Sequence, residues 1–183
     1  MSVTILDAAQ NVFETYGARR ANLEDVARAA GVSKSTLYRA YQTKDQLLDA
    51  VLARQLIDFF VQLDKVASGL PPREAVAECF TRGLALTREI PLLGRLFEAE
   101  PEVITQANAE RSHNALLLRS VEQVVATLRR AGATMPDSEL ITVSELMLRL
   151  AYTYMISPNG HLDMSDEQVA RQYARTYLAP LVY

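Results

Sequence analysis

A short run of polar side chains near the N-terminus carries the hydrogen-bond donors that bind phosphates and base edges. In a helix predicted for residues 34–41, Leu37 and Tyr41 lie one turn apart and face inward. The residues that remain on the outward face are Lys34, Ser35, Thr36, Tyr38 and Arg39. Side chains of these types on one exposed helix are suited to the major groove of DNA.

The residues just before this run predict a second short helix, joined to the first by a tight turn. Apolar spacing places it at residues 23–30, with Asn22 as its N-cap. Gly31 follows where a helix ends in a left-handed residue, and Ser33 is positioned to cap the next helix. This pattern predicts a helix-turn-helix. The alternative is a helical hairpin inside an all-helical core.

Charge is distributed unevenly along the chain. The whole sequence carries a net charge of −3, yet the segment from Arg19 to Lys44 holds six basic residues against two acidic ones. This asymmetry favours a small DNA-facing module on an acidic body. The alternative is chance clustering of charge on a solvated face.

The rest of the sequence predicts only helices. Apolar stripes and breaks predict them at residues 3–16, 44–67, 73–88, 92–98, 104–131 and 137–156, with a last helix opened by a capping box at 165–168 and ending near 181. The fold class is therefore all-α with nine helices. We expect a DNA-binding domain at residues 1–50 and a second domain at 51–183, which share the long helix at about 44–67.

Catalytic and metal-binding patterns are absent from the sequence. Cys79, His113 and His161 do not have the spacing of a zinc site, and no phosphate-binding loop or nucleophile elbow occurs. We therefore expect no enzyme activity, no metal and no cofactor.

The sequence also bears on the cellular compartment. A single cysteine excludes an internal disulfide and suits a reducing cytoplasm. The N-terminus lacks the pattern of a signal peptide, and the most apolar stretch, residues 140–156, contains Glu145 and Arg149. We expect a cytoplasmic protein with no membrane partner.

The segments VARAAGVSKSTLYRAY and KDQLLDAV follow a helix that ends in Phe13, Tyr16 and Gly17, and this order resembles TetR-family transcriptional regulators. The resemblance is strongest over residues 3–52, and beyond residue 70 it is one of helix number and size only. It implies a homodimeric repressor that a small-molecule inducer releases from a palindromic operator in double-stranded DNA.

The resemblance also implies which residues contact DNA. The implied set is Ser33, Lys34, Ser35, Thr36, Tyr38, Arg39 and Lys44. Among these, Lys34 and Arg39 are suited to guanine edges, whereas Tyr38 and Lys44 are suited to phosphates. Ser33 could instead serve only as a helix cap, and Tyr38 could pack on the domain surface.

Two further residue sets are implied for the second domain. The expected ligand cavity is lined by Phe59, Phe60, Phe80, Phe97, His113 and Tyr152. The expected dimer seam is formed by Leu146, Leu150, Tyr154, Tyr173, Tyr177 and Leu178. For both sets the alternative is ordinary core packing.

A second class of protein stays open at this point. Ala40 stands where the family often has a phosphate-binding histidine, and the acidic Glu24 lies near the expected DNA surface. Both departures would suit a helical ligand-binding or protein-interaction module that does not bind DNA.

Overall fold

Helices build the part of the chain that the structure, a computed structural model, describes: residues 4–104, 114–157 and 160–183. The α-helices are α1 (Ile5–Tyr16), α2 (Leu23–Ala30), α3 (Lys34–Ala40), α4 (Lys44–Ala67), α5 (Pro72–Glu89), α6 (Pro91–Glu98), α7 (Asn114–Arg130), α8 (Asp137–Ile156) and α9 (Glu167–Tyr173). No strand occurs within those ranges. The all-α prediction is confirmed.

Side-chain caps set the beginnings of several helices. Asn22, Ser33 and Thr43 each accept the backbone N–H three residues ahead, at 2.8, 3.1 and 3.1 Å. The caps at Asn22 and Ser33 were predicted. At α9 the predicted cap was wrong, because Asp166 rather than Ser165 accepts the N–H groups of Gln168 and Val169.

Two predicted helices differ in their course. The last one is α-helical only to Tyr173 and continues as a wider π turn (Ala174–Leu178) and a 3-10 turn (Ala179–Leu181). Residues 101–104 are already helical, before the predicted start at residue 104. The middle of that predicted helix lies outside the described residues.

The first four helices enclose an N-terminal core. Phe13, Leu37 and Leu47 are completely buried in it. Leu92 and Leu96 of α6 are completely buried in the same core, although α6 follows it by about 40 residues of sequence. Helix α6 thus completes a core whose other helices lie far from it in the sequence.

A second core, the C-terminal core, lies among α5, α7, α8, α9 and the last residues of the chain. A smaller middle cluster connects the two cores and consists of Phe59, Phe60, Leu63, Leu86 and Leu93. Helix α4 contributes to all three groups of residues in succession along its length. No helix in the described ranges is long and apolar enough to cross a membrane.

A buried carboxylate joins α6 to the end of α1. Glu100 is 7% exposed, accepts the backbone N–H of Arg19 at 3.3 Å, and lies 3.8 Å from Nε of Arg95. Gly17 lies directly against this group. It has φ = +83°, and a Cβ added there would come within 1.9 Å of Oε1 of Glu100. Glycine is therefore required both by the backbone conformation and by the carboxylate.

We expect Gly17→Ala to destabilise the protein by at least about 1 kcal/mol more than Gly31→Ala, measured by urea unfolding. Gly31 also has a positive φ, +67°, but no described atom lies within 4 Å of its added Cβ. Gly31→Ala meets only the left-handed strain of about 1–2 kcal/mol. Gly17→Ala must adopt a backbone conformation that is nearly restricted to glycine (ψ = 157°) and must also displace Glu100. Equal losses in the two variants would contradict both effects.

Candidate nucleic-acid interface and ligand cavity

Helix α3 presents one polar face to solvent. Leu37 is completely buried beneath it, whereas Tyr38 is 47% exposed. Lys34, Ser35, Thr36 and Arg39 are exposed as well. The helix therefore presents several hydrogen-bond donors to solvent, while Leu37 holds it in the N-terminal core.

Ser33 is engaged by the first turn of α3. Its hydroxyl accepts the N–H of Thr36 and lies 2.8 Å from the hydroxyls of both Ser35 and Thr36. The predicted role of Ser33 as a helix cap is confirmed. Its contact with DNA stays a prediction.

Lys34 is paired with an acid across the turn. Its ammonium group donates a hydrogen bond to the carboxylate of Glu24 on α2, and both side chains are more than half exposed. The hydrogen bond from Lys34 lowers the pKa of Glu24 below its usual value, so this carboxylate is charged at neutral pH. The two charges offset each other in the free protein.

The other cations of this surface differ in how firmly they are held. Lys44 is half-buried and donates to the carbonyl oxygen of Arg19 at 2.9 Å, which ties the start of α4 to the loop after α1. Arg39 is exposed, and it has no hydrogen bond or ion pair to any residue in the described ranges. Arg39 is thus the side chain of this face most able to adapt to a base edge.

An apolar cavity of about 100 Å³ lies between α4, α5, α7 and α8. Three predicted residues line it: Phe59, Phe60 and Phe80. Phe97 and Tyr152 were also predicted but do not line it; their rings pack edge to face against each other, 5.9 Å apart. His113 lies outside the described residues.

Sequence reasoning missed most of the cavity wall because it searched for aromatic residues. The remaining lining residues are aliphatic, small or sulfur-containing: Leu63, Ala75, Val76, Cys79, Gly83, Leu84, Val124, Thr127, Leu128, Met147, Leu148, Ala151 and Met155. Their signal in the sequence was the apolar face of α5 and the nearly continuous apolar character of α8.

Among the described residues of the wall, the polar side chains are Cys79 and Thr127, and both are satisfied by the protein. The Cys79 thiol donates to the carbonyl oxygen of Leu63 at 3.4 Å. The Thr127 hydroxyl lies beside two acceptors, the carbonyl oxygen of Gln123 and the carboxylate of Asp64. Burial, followed by the charges of Asp64 and Glu78, raises the pKa of the Cys79 thiol to about 12. No group of three or more potential metal ligands occurs in the described ranges.

The predicted dimer residues separate into two groups. Tyr177 and Leu146 are 62% and 45% exposed, and Leu150, Tyr154 and Tyr173 are half-buried. Leu178 is only 2% exposed because it packs in the C-terminal core of its own chain. Its assignment to the seam is therefore wrong, and the core alternative holds for that residue.

Similarity to known proteins agrees with this geometry. The family model described as "Bacterial regulatory proteins, tetR family" matches residues 5–51. The HTH-type transcriptional regulator RutR of Escherichia coli (strain K12) is 35% identical over 94 residues, which are 51% of this chain and 44% of RutR. The chain thus matches less than half of that regulator's length. The HTH-type transcriptional repressor ComR of the same organism is 25% identical and matches 78% of this chain and 71% of its own.

The fold is shared over almost the entire chain. The crystal structure of the TetR family repressor AlkX from Dietzia sp. strain DQ12-45-1b, implicated in biodegradation of n-alkanes, superimposes with a TM-score of 0.74 at 20% identity. The superposition covers 98% of both chains. Residues 5–51 thus form a helix-turn-helix domain of the tetR family of bacterial regulatory proteins. The fold of the chain as a whole is that of a TetR-family repressor of known structure.

Proposed function

We propose that this protein is a homodimeric repressor that binds a two-fold symmetric operator in double-stranded DNA and leaves it when a small molecule enters the second domain. The observation that carries this proposal is the exposed polar face of α3, a helix anchored from its opposite side by the fully buried Leu37. A cytoplasmic location follows from the DNA partner. The names of ComR and AlkX as repressors support repression as the output.

The contacts with DNA divide by chemistry. Arg39 is the main candidate for bidentate recognition of a guanine, because its guanidinium is exposed and uncommitted within the described residues. Lys34 also contacts DNA once its ammonium group leaves Glu24 for a base or a phosphate. Contacts to the DNA phosphate backbone fix the position of the helix. They come from Ser33, Ser35, Thr36, Tyr38 and Lys44.

A second copy of the chain supplies the symmetry. Tyr177 and Leu146 are large apolar side chains that the single chain leaves exposed near the C-terminal core. Tyr177 continues a row of rings from the core outward, since it lies 5.2 Å from Tyr173, which lies 6.0 Å from the buried Phe80. An exposed aromatic supported in this way is suited to a self-complementary two-fold interface.

Helices α4 and α6 provide the connection between ligand and DNA. Phe59, Phe60 and Leu63 line the cavity and also pack with Leu93 in the middle cluster. The neighbouring α6 residues Leu92 and Leu96 are buried in the N-terminal core. The cavity lies in the domain at residues 51–183. A ligand that displaces its wall therefore also disturbs the packing of the domain at residues 1–50.

The alternative function is a helical ligand-binding or protein-interaction module without DNA binding. The Glu24–Lys34 pair favours it, because the pair removes one free cation from the proposed interface. Selection of bound duplexes from a random DNA library separates the two. Enrichment of a two-fold symmetric motif supports the repressor, whereas a folded dimer that enriches no motif supports the module.

We expect Arg39→Ala to reduce discrimination between the selected operator and a scrambled duplex by roughly 5- to 150-fold. Arg39→Lys should lose most of the same discrimination but keep the dependence of affinity on salt, because the charge is retained while the bidentate geometry is lost. Lys65→Ala is the control, since Lys65 lies on α4 about 30 Å from Lys44. Unchanged discrimination in Arg39→Ala would refute the contact assignment.

We expect Glu24→Gln to strengthen binding to any duplex and to steepen the slope of log affinity against log salt by about 0.9. The substitution removes the carboxylate that holds Lys34, so the ammonium becomes free to replace a counterion. Glu89→Gln is the matched control, because it deletes the same charge and an ion pair with Arg82 on α5. If both variants change duplex affinity and its salt dependence equally, the Glu24–Lys34 pair does not lie at the DNA interface.

We expect Tyr177→Glu to convert the dimer to a monomer, as measured by light scattering, because a carboxylate would then have to be buried in an apolar interface. Ile57→Glu is the control. It makes the same kind of change at a residue of α4 that is 65% exposed and lies outside the proposed seam. A dimer that survives Tyr177→Glu would place the seam elsewhere.

A further inference from the structure

We infer that the molecule received by this cavity is uncharged and apolar, of about the size of one aromatic ring, and that it binds without forming hydrogen bonds to side chains. The inference rests on the proposed function, since it names the class of ligand for the same cavity. Three features of the wall carry it: the lack of available polar groups, the charges behind the wall, and the volume.

The described residues of the wall offer a ligand no free polar side chain. All of its residues except Cys79 and Thr127 are apolar or glycine. The hydrogen of the Cys79 thiol is used by the Leu63 carbonyl, and the Thr127 hydroxyl lies against Gln123 and Asp64. A ligand carrying a polar or charged group would leave that group without a partner, which strongly disfavours its burial.

The charges behind the wall are paired with the protein's own groups. Asp64 forms an ion pair with Arg130, and Glu78 forms one with Arg171 at 3.0 Å. Because these arginine partners neutralise the two carboxylates, neither an anion nor a cation in the cavity would find an unpaired opposite charge behind the wall. Both ionic classes of ligand are therefore disfavoured.

The Cys79 thiol does not provide an alternative chemistry. Its pKa of about 12 leaves almost no thiolate at neutral pH, and the thiolate is the form that attacks electrophiles. The cavity is therefore a site for reversible apolar binding rather than for covalent capture.

The volume and the composition of the wall limit the size of the ligand. About 100 Å³ is of the same order as, and smaller than, the apolar cavity of about 150 Å³ that accepts a single benzene ring. Met147 and Met155 can change rotamer to accommodate differences in shape. Gly83 keeps one side of the space open: a Cβ there would lie 3.6 Å from Cζ of Phe59 and 3.9 Å from Cδ1 of Leu63.

The test compares three probes with the same ring and different charge: toluene, benzoate and benzylammonium. Binding to the full chain without DNA is measured by calorimetry. We expect saturable binding of toluene, with the two ions at least about 100-fold weaker. Binding of either ion as tightly as toluene, or no binding of toluene, would overturn the inference.

Variants of Gly83 locate the bound probe. Gly83→Ala fits at ordinary contact distance and serves as the control for folding, whereas Gly83→Val adds two methyl groups toward the rings of the wall. We expect Gly83→Val to weaken toluene at least about tenfold relative to Gly83→Ala. Equal affinity in two folded variants would show that toluene binds elsewhere. If Gly83→Val does not fold, weaker binding by Gly83→Ala than by the unmodified chain supports the inference, and unchanged binding opposes it.

The same titration in the presence of the selected operator separates this inference from the proposed function. Toluene binding without release of DNA leaves the ligand class intact and rejects the regulatory coupling. Release of DNA by benzoate, with toluene inactive, rejects the ligand class and retains the coupling.

Discussion

The structure depends on a single continuous helix, α4, that must pack in two cores at once. Its 24 residues run without a break from Lys44 to Ala67. Leu47 and Val51 are completely buried in the N-terminal core, and Phe59 and Phe60 belong to the middle cluster. Since an α-helix transmits displacement along its axis with little internal compliance, neither core can shift its part of α4 without moving the other. The proposed DNA face and the cavity are thus connected through one helix, although they are built from different parts of the chain.

Helix α6 adds a second connection, and its position explains the unusual junction at Gly17. A Cβ at Gly94 would lie 2.9 Å from the carbonyl oxygen of Arg88, so α6 lies directly on the last turn of α5. From there it sends Leu92 and Leu96 into the N-terminal core and Leu93 into the middle cluster. Glu100, just beyond its end, binds the backbone of the loop after α1 through the N–H of Arg19. Two contacts of this segment, one apolar and one polar, therefore reach the N-terminal core and the loop after α1.

The sequence was sufficient for the N-terminal helices because their signals are local. Asn22 and Ser33 cap their helices by accepting an N–H three residues ahead, and Gly31 supplies the turn. The spacing of Leu37 and Tyr41, one helical turn apart, defines the inward face of α3 and thereby its outward face. The contacts missed by sequence reasoning are distant in the chain or depend on exposure. Glu24 meets Lys34 across the turn, α6 packs in a core formed some 40 residues earlier, and Leu178 is buried whereas its neighbour Tyr177 is exposed. Helical periodicity shows that a face is buried but does not identify the core or chain that covers it.

The two proposed binding surfaces use opposite physical chemistry, and this difference suits a switch. The α3 face lies in water, where charged groups exchange partners at low cost, as the proposed DNA contact requires of Glu24 and Lys34. The cavity is lined by apolar groups, and the polar side chains among its described wall residues are already committed. An apolar ligand gains free energy only by filling space, so its effect on the protein is a displacement of the packed side chains Phe59, Phe60 and Leu63. Those side chains pack against Leu93, and Leu93 is flanked on α6 by residues of the N-terminal core. Filling the cavity can therefore weaken DNA binding through packing alone, without changing the charge of the α3 surface.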